Sequence, residues 1–466
     1  MSLLSYLYFA SQKRAAEQER EESYQQIDFS PEEIKEDLDY FQDLMKRVHP
    51  DQMPTHPLGD ITAKLQAWRK SINQSLTRLA FYREFAPIVS LLNDDHVVVH
   101  LPEPELTNRY RSGGEFFPFR VQFINNRLYV VQNLSGETAT RASMEILSIN
   151  GVPAEELRTI LIGYFSGTSN AQKLFYLQDH FHEALFLVYG FSEHFELTLH
   201  DSATHKTSKL NVSGQALPKP TVEKFHYQVI ETDTILFTYN AFADENGSFA
   251  PFLKGLFSTA QEQNIQHLIL DIRRNQGGNS AYGDDIFRYL MDKPFIQADR
   301  SEFTISKERK ASFIRFVPGF MRWIPLQYLH PFLRGFWFGK EGDRLIKTFE
   351  PVMPEENLLR FSGDVTLLVG PGTMSSATLF SATMKEYSIG TLIGEETGGY
   401  ATQYGEIIDV YLPNTGLRLW MPTSVIHGNG TRAIVPDHSV TQTASDLVDQ
   451  QDTVLAFARN LIHPEQ

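Results

Sequence analysis

The chain has no cysteine in 466 residues. A thiol nucleophile, a thiolate zinc centre, an iron–sulfur cluster and a disulfide scaffold are thereby excluded, while the compartment is left open. Positive charge is in deficit as well: 42 Lys plus Arg stand against 57 Asp plus Glu, and 42 − 57 = −15. Binding to phosphate backbones needs a clustered positive field, so a nucleic-acid partner is disfavoured. The amino end, Leu3-Leu4-Ser5-Tyr6-Leu7-Tyr8-Phe9-Ala10, is an apolar patch too short to span a bilayer and has no basic stretch before it. It reads as a trimmed export segment or an amphipathic start within an amino-terminal portion, residues 1–29, whose Lys13–Glu22 run is a solvated charged helix. What is present is an ordinary globular composition, 42% hydrophobic and 12% aromatic with 29 glycines. At this length roughly two to four domains are expected.

From Pro31 to about Leu92 the pattern is helical. Ser30 is placed to cap, Glu32 and Glu33 occupy the first turn where the helix dipole favours carboxylates, and Leu38, Phe41, Leu44, Met45 and Val48 recur at three- and four-residue steps. Two further helices are predicted, over Ile61–Leu76 and from Arg78 to near Asn93-Asp94-Asp95-His96, before the β-branched run Val97-Val98-Val99. Residues 30–112 are assigned to a helical domain. Residues 113–216 turn to strands, at Phe119–Ile124, Leu128–Gln132, Glu145–Ile149 and Phe195–His200, with Asn125-Asn126 as a tight hairpin turn. Within them, Met144–Pro153 followed by Glu155-Glu156-Leu157 resembles the strand, turn and helix start of a PDZ domain. Peptide binding by strand addition and a closed structural module both remain open for it.

Pro218-Lys219-Pro220 reads as a linker, because two closely spaced prolines fix φ and deny ladder hydrogen bonds. Beyond it, strand-like runs at Thr234–Tyr239, Leu268–Ile272, Val365–Val369 and Thr391–Ile393 alternate with helical runs at Pro251–Asn264, Tyr282–Met291 and Ser376–Tyr387. Such alternation predicts an α/β layered domain, residues 221–462. An aromatic insertion, 303–345, interrupts it. Its Ser312–Phe338 stretch mixes Phe313, Phe316 and Trp323 with Arg315, Arg322 and the prolines Pro318 and Pro325, which excludes a transmembrane helix. We read it as an excursion packed on its own domain; a lid over a cleft and a membrane-interface contact are the functional alternatives.

Two turns could carry chemistry. Val365–Val369 runs through Gly370-Pro371-Gly372-Thr373-Met374 into a helix that begins at Ser375-Ser376, a geometry that exposes a hydroxyl and aims free helix N–H groups at the same point. Simple helix capping is the alternative there, since Ser is a favoured cap. Leu268–Ile272 leads to Asn275-Gln276-Gly277-Gly278, whose glycines admit close backbone approach to a ligand. Paired with the N–H of the residue after a nucleophile, this turn would complete a two-donor oxyanion hole. His96 is the candidate base among 15 histidines, because it sits at a helix-to-strand junction after an acidic pair. His180 and His182, or His194, His200 and His205, lack the helical pairing with an intervening Glu, so neither a metal site nor a cofactor is expected.

Taken together, Asn275-Gln276-Gly277-Gly278, Gly372–Thr378, Ile393-Gly394-Glu395-Glu396-Thr397-Gly398-Gly399 and Val435-Pro436-Asp437 resemble the C-terminal processing (tail-specific) serine peptidases. Relatives of these include the tricorn protease core and the interphotoreceptor retinoid-binding protein modules. The resemblance implies Ser375 as nucleophile, oxyanion donors at Gly278 and Ser376, and a ClpP/crotonase-like spiral for the catalytic domain. Where the tail-specific branch carries a general-base Lys, this chain has Tyr400, so it is more similar to the tricorn-like branch, with His96 as the implied base. Glu396 is taken as the acid behind His96, with Glu395 and Asp409 as substitutes.

The expected fold class is therefore α/β and multi-domain, a spiral catalytic domain preceded by a helical amino-terminal domain and a PDZ-like β-rich domain. The expected activity is hydrolysis of peptide bonds through an acyl-enzyme on Ser375, with a peptide or protein as substrate and an extracytoplasmic location implied by resemblance. Two other classes are open: a non-catalytic relative that binds peptides or an apolar ligand, and a crotonase-like acyl-CoA enzyme, which would need a basic pocket for its nucleotide.

Overall fold

The computed structural model describes residues 28–50, 58–137, 140–219, 221–244, 246–316 and 331–464. The amino-terminal apolar patch and the Lys13–Glu22 run lie outside these, as do residues 317–330 of the aromatic insertion.

The first helix, Pro31–Val48, begins with a reciprocal cap: Ser30 Oγ accepts from Glu33 N at 3.3 Å while Glu33 Oε2 accepts from Ser30 N at 2.7 Å. Its apolar stripe of Ile34, Leu38, Phe41, Leu44 and Val48 is buried. The second helix is Leu58–Ser71, ending five residues before the expected Leu76. Leu76 and Thr77 instead pair with Asp28–Phe29 as a short strand, and Thr77 caps the third helix, Arg78–Ser90, by accepting from Ala80 N at 3.0 Å. These helices do not close a core among themselves. The core around Phe41, Phe81 and Phe85 also takes Ile408, Val410, Leu417, Leu419 and Met421 from a hairpin far along the chain, Ile408–Tyr411 with Arg418–Met421. Three helices alone would leave that apolar face in water. Val98–Val99 joins the hairpin as a third strand, with Leu419 opposite Val99 and Trp420 opposite Val98. At the hairpin turn, buried Asp37 accepts from Asn414 N at 2.8 Å, Thr415 N at 2.9 Å and Thr415 Oγ1 at 2.6 Å.

Residues between Glu115 and Ala216 build a separate antiparallel sheet in the order Lys206–Ser213, His194–Asp201, Glu145–Ile149, Arg127–Asn133, Phe119–Ile124. Asn125 and Asn126 turn the hairpin with φ of 50° and 64°, the left-handed pair that a right-twisted hairpin needs. Helices Ala154–Leu161 and Asn170–Asp179 pack Leu157, Leu161 and Leu177 against this sheet.

The remaining residues form a three-layered unit. Its sheet runs in the order Phe225–Glu231, Thr234–Tyr239, His267–Asp271, Asp364–Val369, Thr391–Gly394, His438–Ser439; the first pair is antiparallel and the rest are parallel. Strand side chains alternate between two cores. Ile235, Phe237, Leu268, Leu270 and Leu367 meet the helices Phe249–Glu262, Ala281–Leu290 and Ser376–Glu386, whereas Leu236, Ile269, Leu368 and Ile393 meet Val454 and Ala458 of Thr453–Ile462. Burial on both faces explains why these strands read as near-continuous apolar runs. A second, antiparallel sheet carries Ala298–Thr304, Arg344–Thr348, Ser424–Gly428 and Thr402–Gly405. On it, the described part of the aromatic insertion packs Phe336 against Phe303 and Phe313, with ring centroids 6.0 and 5.5 Å apart.

Asp37 ties the first helix to the distant hairpin through a buried carboxylate. Asp37→Ala is therefore expected to destabilise the protein by about 2–4 kcal/mol, read from chemical denaturation. Asp39→Ala, which removes a surface ion pair with Arg69, should leave the midpoint nearly unchanged.

Candidate active site

The strand Asp364–Val369 enters the helix Ser376–Glu386 through a turn at which Ser375 has φ 52° and ψ −127°. A non-glycine residue rarely adopts this backbone, and here the strain holds the hydroxyl clear of the turn. The surroundings fix it. Thr373 Oγ1 accepts from Gly370 N at 3.1 Å and donates to Ile272 O at 2.9 Å, while Met374 N donates to Asn275 O at 3.0 Å. Asn275 is fully buried; its side chain donates to Tyr239 O at 2.9 Å and accepts from Gly277 N at 2.9 Å, so one residue braces both turns.

Gly277 and Gly278, with φ of 91° and 133°, lie directly against the elbow. A Cβ on Gly277 would sit 2.6 Å from Ser375 Cβ, and one on Gly278 would sit 2.2 Å from Phe242 O. Ser376 Oγ donates to Gly278 O at 2.7 Å, which fixes the peptide so that its carbonyl faces the helix start. Among the described residues, neither Gly278 N nor Ser376 N is spent on another hydrogen bond. Two backbone donors beside a raised hydroxyl, one of them at a helix amino end, can stabilise an oxyanion that forms there.

His96 reaches Ser375 from 279 positions earlier in the chain, with Nε2 3.2 Å from Ser375 Oγ. Its Nδ1 is 2.7 Å from Asp95 Oδ1, the carboxylate of the residue just before it. The bend at Asp95–Val97 allows this, because it turns two consecutive side chains toward one another. Asp95 Oδ2 in turn accepts from Gln172 Nε2 at 3.2 Å. Gln172, fully buried, belongs to the helix Asn170–Asp179 of the middle sheet unit. Asp94 Oδ1 accepts from His96 N at 2.7 Å, and its Oδ2 lies 2.9 Å from His49 Nε2. Each of the three units thus holds part of the imidazole's support.

Electrostatics follow from that burial. Desolvation is the largest influence on His96 and presses its pKa down. The charges of Asp95 and Asp94 and the hydrogen bond that His96 donates to Asp95 outweigh it, leaving the pKa above the ordinary 6.5. Desolvation likewise pushes Asp94 up, and the bonds and charges of His49 and His96 more than reverse it, so Asp94 stays ionised.

The structure brings Ser375, His96, Gly278 and Ser376 together and does not bring Glu396 with them. Glu396 is exposed and makes no hydrogen bond or ion pair among the described residues; the place expected for its carboxylate, against His96 Nδ1, is taken by Asp95. The substitutes are elsewhere too: Asp409 binds Arg418 and Trp420, and Glu395 has its pKa raised by burial, which the charge of Arg273 only partly offsets. Lys385 points away, donating to Val435 O at 2.6 Å. A cleft of about 870 Å³ opens over Ser375, lined by Phe349, Val352, Leu379 and Ile426. Phe313 and Arg309 of the insertion also line it, so this segment packs on its own sheet and edges the cleft as well. Arg309 is held by Glu406 and Thr423 and stacks 4.1 Å over the Phe303 ring.

A serine on a strained strand-to-helix turn, an imidazole behind it and free backbone amides beside it are the parts of a serine hydrolase. Residues 234–423 match the model of peptidase family S41, whose members are serine peptidases. Mature CPAF in complex with lactacystin superposes with a TM-score of 0.65 at 16% identity, over 93% of this chain and 99% of that one. A further structure of mature CPAF gives 0.64 at 15%, over 90% and 94%. The photosystem II D1 C-terminal processing protease gives 0.44 at 14%, over 88% and 93%. At such identities the likeness to CPAF is one of fold. A search of curated protein sequences found no match.

Because a Cβ at position 278 would collide with the Phe242 carbonyl, Gly278→Ala is expected to cost roughly 1–3 kcal/mol of stability, measured as a lowered unfolding midpoint.

Proposed function

We propose that the protein hydrolyses peptide bonds through an acyl-enzyme on Ser375, with His96 as acid and base and Asp95 orienting it. The observation that carries this is the unbroken relay from Asp95 through His96 to Ser375 at 2.7 and 3.2 Å. In the forward step Ser375 Oγ attacks the scissile carbonyl carbon while His96 Nε2 takes its proton, and the carbonyl oxygen becomes an anion facing Gly278 N and Ser376 N. The C–N bond then breaks as His96 returns the proton to the leaving amine. Water attacks the resulting ester, His96 takes a proton from it, and the proton passes back to Ser375 Oγ as the acid product leaves. No other group is needed to close this cycle.

The apolar walls of the cleft favour a peptide or protein segment as the substrate. The two packed sheets of residues 221–462 are consistent with a ClpP/crotonase-like spiral, and the middle antiparallel sheet with its helix Ala154–Leu161 with a PDZ-like module. Action outside the cytoplasm rests on resemblance; no helix among the described residues is long and apolar enough to cross a membrane. Contact with a membrane surface would fall to the aromatic insertion.

A fluorophosphonate probe read by intact mass tests the mechanism. One adduct per chain is expected, lost in Ser375→Ala and in His96→Ala; no adduct on the unmodified protein would favour the non-catalytic binding scaffold. The pH dependence tests Asp95. Since His96 must be neutral to accept a proton, kcat/KM rises with pH through the His96 pKa, which Asp95 and Asp94 raise above 6.5. In Asp95→Asn the charge nearest the ring is gone while its burial stays, so the inflection moves to lower pH and kcat falls by roughly 10³–10⁴. An inflection that stays in place removes Asp95 from the relay.

A further inference from the structure

At the amino edge of the parallel sheet, opposite the catalytic turns, the fold gathers a second set of imidazoles and carboxylates. His267 opens the strand His267–Asp271, and Asp233 immediately precedes Thr234–Tyr239. The two are locked together because Gln266 N and His267 N both donate to Asp233 O, at 2.9 and 3.0 Å. His463, which ends the helix Thr453–Ile462, reaches them from 230 positions beyond Asp233. Its Nε2 lies 3.0 Å from Asp233 Oδ1 and 3.1 Å from Glu231 Oε2. One donor atom each from Asp233, His267 and His463 fall within 4.8 Å of one another.

An ordinary ion pair accounts for His463, which has two carboxylates within reach. It does not account for His267. The Nε2 of His267 is 3.9 Å from Asp233 Oδ2, too far for a hydrogen bond, and its Nδ1 is buried with no hydrogen-bond partner. Beyond that Nδ1, at 3.8 Å, stands the carboxylate of Asp364. That distance is likewise too long for a hydrogen bond, so neither ring nitrogen of His267 is hydrogen-bonded among the described residues. Tetrahedral zinc, with bonds of about 2.0–2.1 Å, sets its ligand atoms about 3.3 Å apart; here one Asp233 oxygen faces each imidazole, Oδ1 at 3.0 Å from His463 Nε2 and Oδ2 at 3.9 Å from His267 Nε2.

We propose that Asp233, His267 and His463, with Glu231 as fourth donor, bind a zinc-class divalent transition ion. Two imidazoles with carboxylate oxygens suit such an ion and not magnesium or calcium, which select all-oxygen shells. The role is structural. The helix that His463 ends lies across the sheet, and at its other end Asp452 pairs with Arg273 at 2.8 and 2.6 Å, just before the Asn275–Gly278 turn. An ion at the far end therefore secures the helix that buttresses the approach to the oxyanion turn. Nothing local marks these residues, since they lie far apart in the chain and share no motif.

The test uses the full chain with His96→Ala, which dismantles the other His-containing cluster among the described residues, Asp94, Asp95 and His96. Stripped with EDTA and titrated with ZnCl₂ by calorimetry, it should bind one equivalent, and excess zinc should raise Tm by roughly 2–4 °C. Adding His267→Ala or His463→Gln should abolish both the stoichiometric binding and the Tm rise, while the zinc-free Tm stays that of the parent. Should His267→Ala fail to fold, His463→Gln carries the test, its side chain being 39% exposed. No saturable binding by the parent, unchanged binding in the variants, or displacement of zinc by excess Mg²⁺ would each overturn the assignment.

Discussion

The two-residue strand Val98–Val99, laid against the hairpin strand Arg418–Met421, is the connection on which the active site depends. His96 stands two residues before it, and the hairpin belongs to the same chain region as Ser375. With this pairing in register, an imidazole and a hydroxyl 279 positions apart come within 3.2 Å. So short a ladder cannot hold alone. It is held because Val97 and Val99 on one side and Leu419 and Met421 on the other are buried in one core with the amino-terminal helices. The meeting of His96 with Ser375 is thus a consequence of docking, and the buried area that holds the helices also sets the distance between imidazole and hydroxyl.

Strain and burial are concentrated at the same place. Ser375 keeps a backbone conformation that costs energy, and it persists because Asn275, Thr373 and the Gly277–Gly278 turn leave it no other. The relay adds two buried carboxylates. Each is compensated: Asp94 by His49 and the His96 amide, Asp95 by the His96 ring and Gln172. Of these partners, His49 directly follows the first helix and Gln172 belongs to the middle unit. Neither could be removed from the molecule without exposing or unpairing a charge next to the imidazole.

Much of this was legible in the chain. The capped helix at Pro31, the Asn125-Asn126 hairpin, the alternating strands and helices after residue 221 and the two glycine-bearing turns all carry local signals of period, cap or φ. Helix 61–76 misled because Leu76 continues its apolar spacing, yet tertiary pairing with Asp28–Phe29 drew it into a strand. Glu396 misled for a different reason. Its position came from resemblance, whereas the carboxylate that meets His96 is its own neighbour, and adjacent side chains face each other only where the backbone bends, as it does at Asp95–Val97. Gln172 carried no signal at all, because a buried glutamine on an amphipathic helix is indistinguishable in sequence from a solvated one.

The sequence by itself determined the elements, the two turns and the chemistry they admit, since helix caps, strand alternation and the conformational freedom of glycine act over a few residues. It also indicated a raised hydroxyl at Ser375 with the Ser376 N–H beside it, because strand, turn and helix start are consecutive there. Only the tertiary structure decided which histidine meets that serine at which distance, which acid stands behind it, and that His267, His463 and Asp233 meet at one sheet edge. Those are contacts between segments brought together by burial of apolar faces, and no short-range pattern records a partner hundreds of residues away.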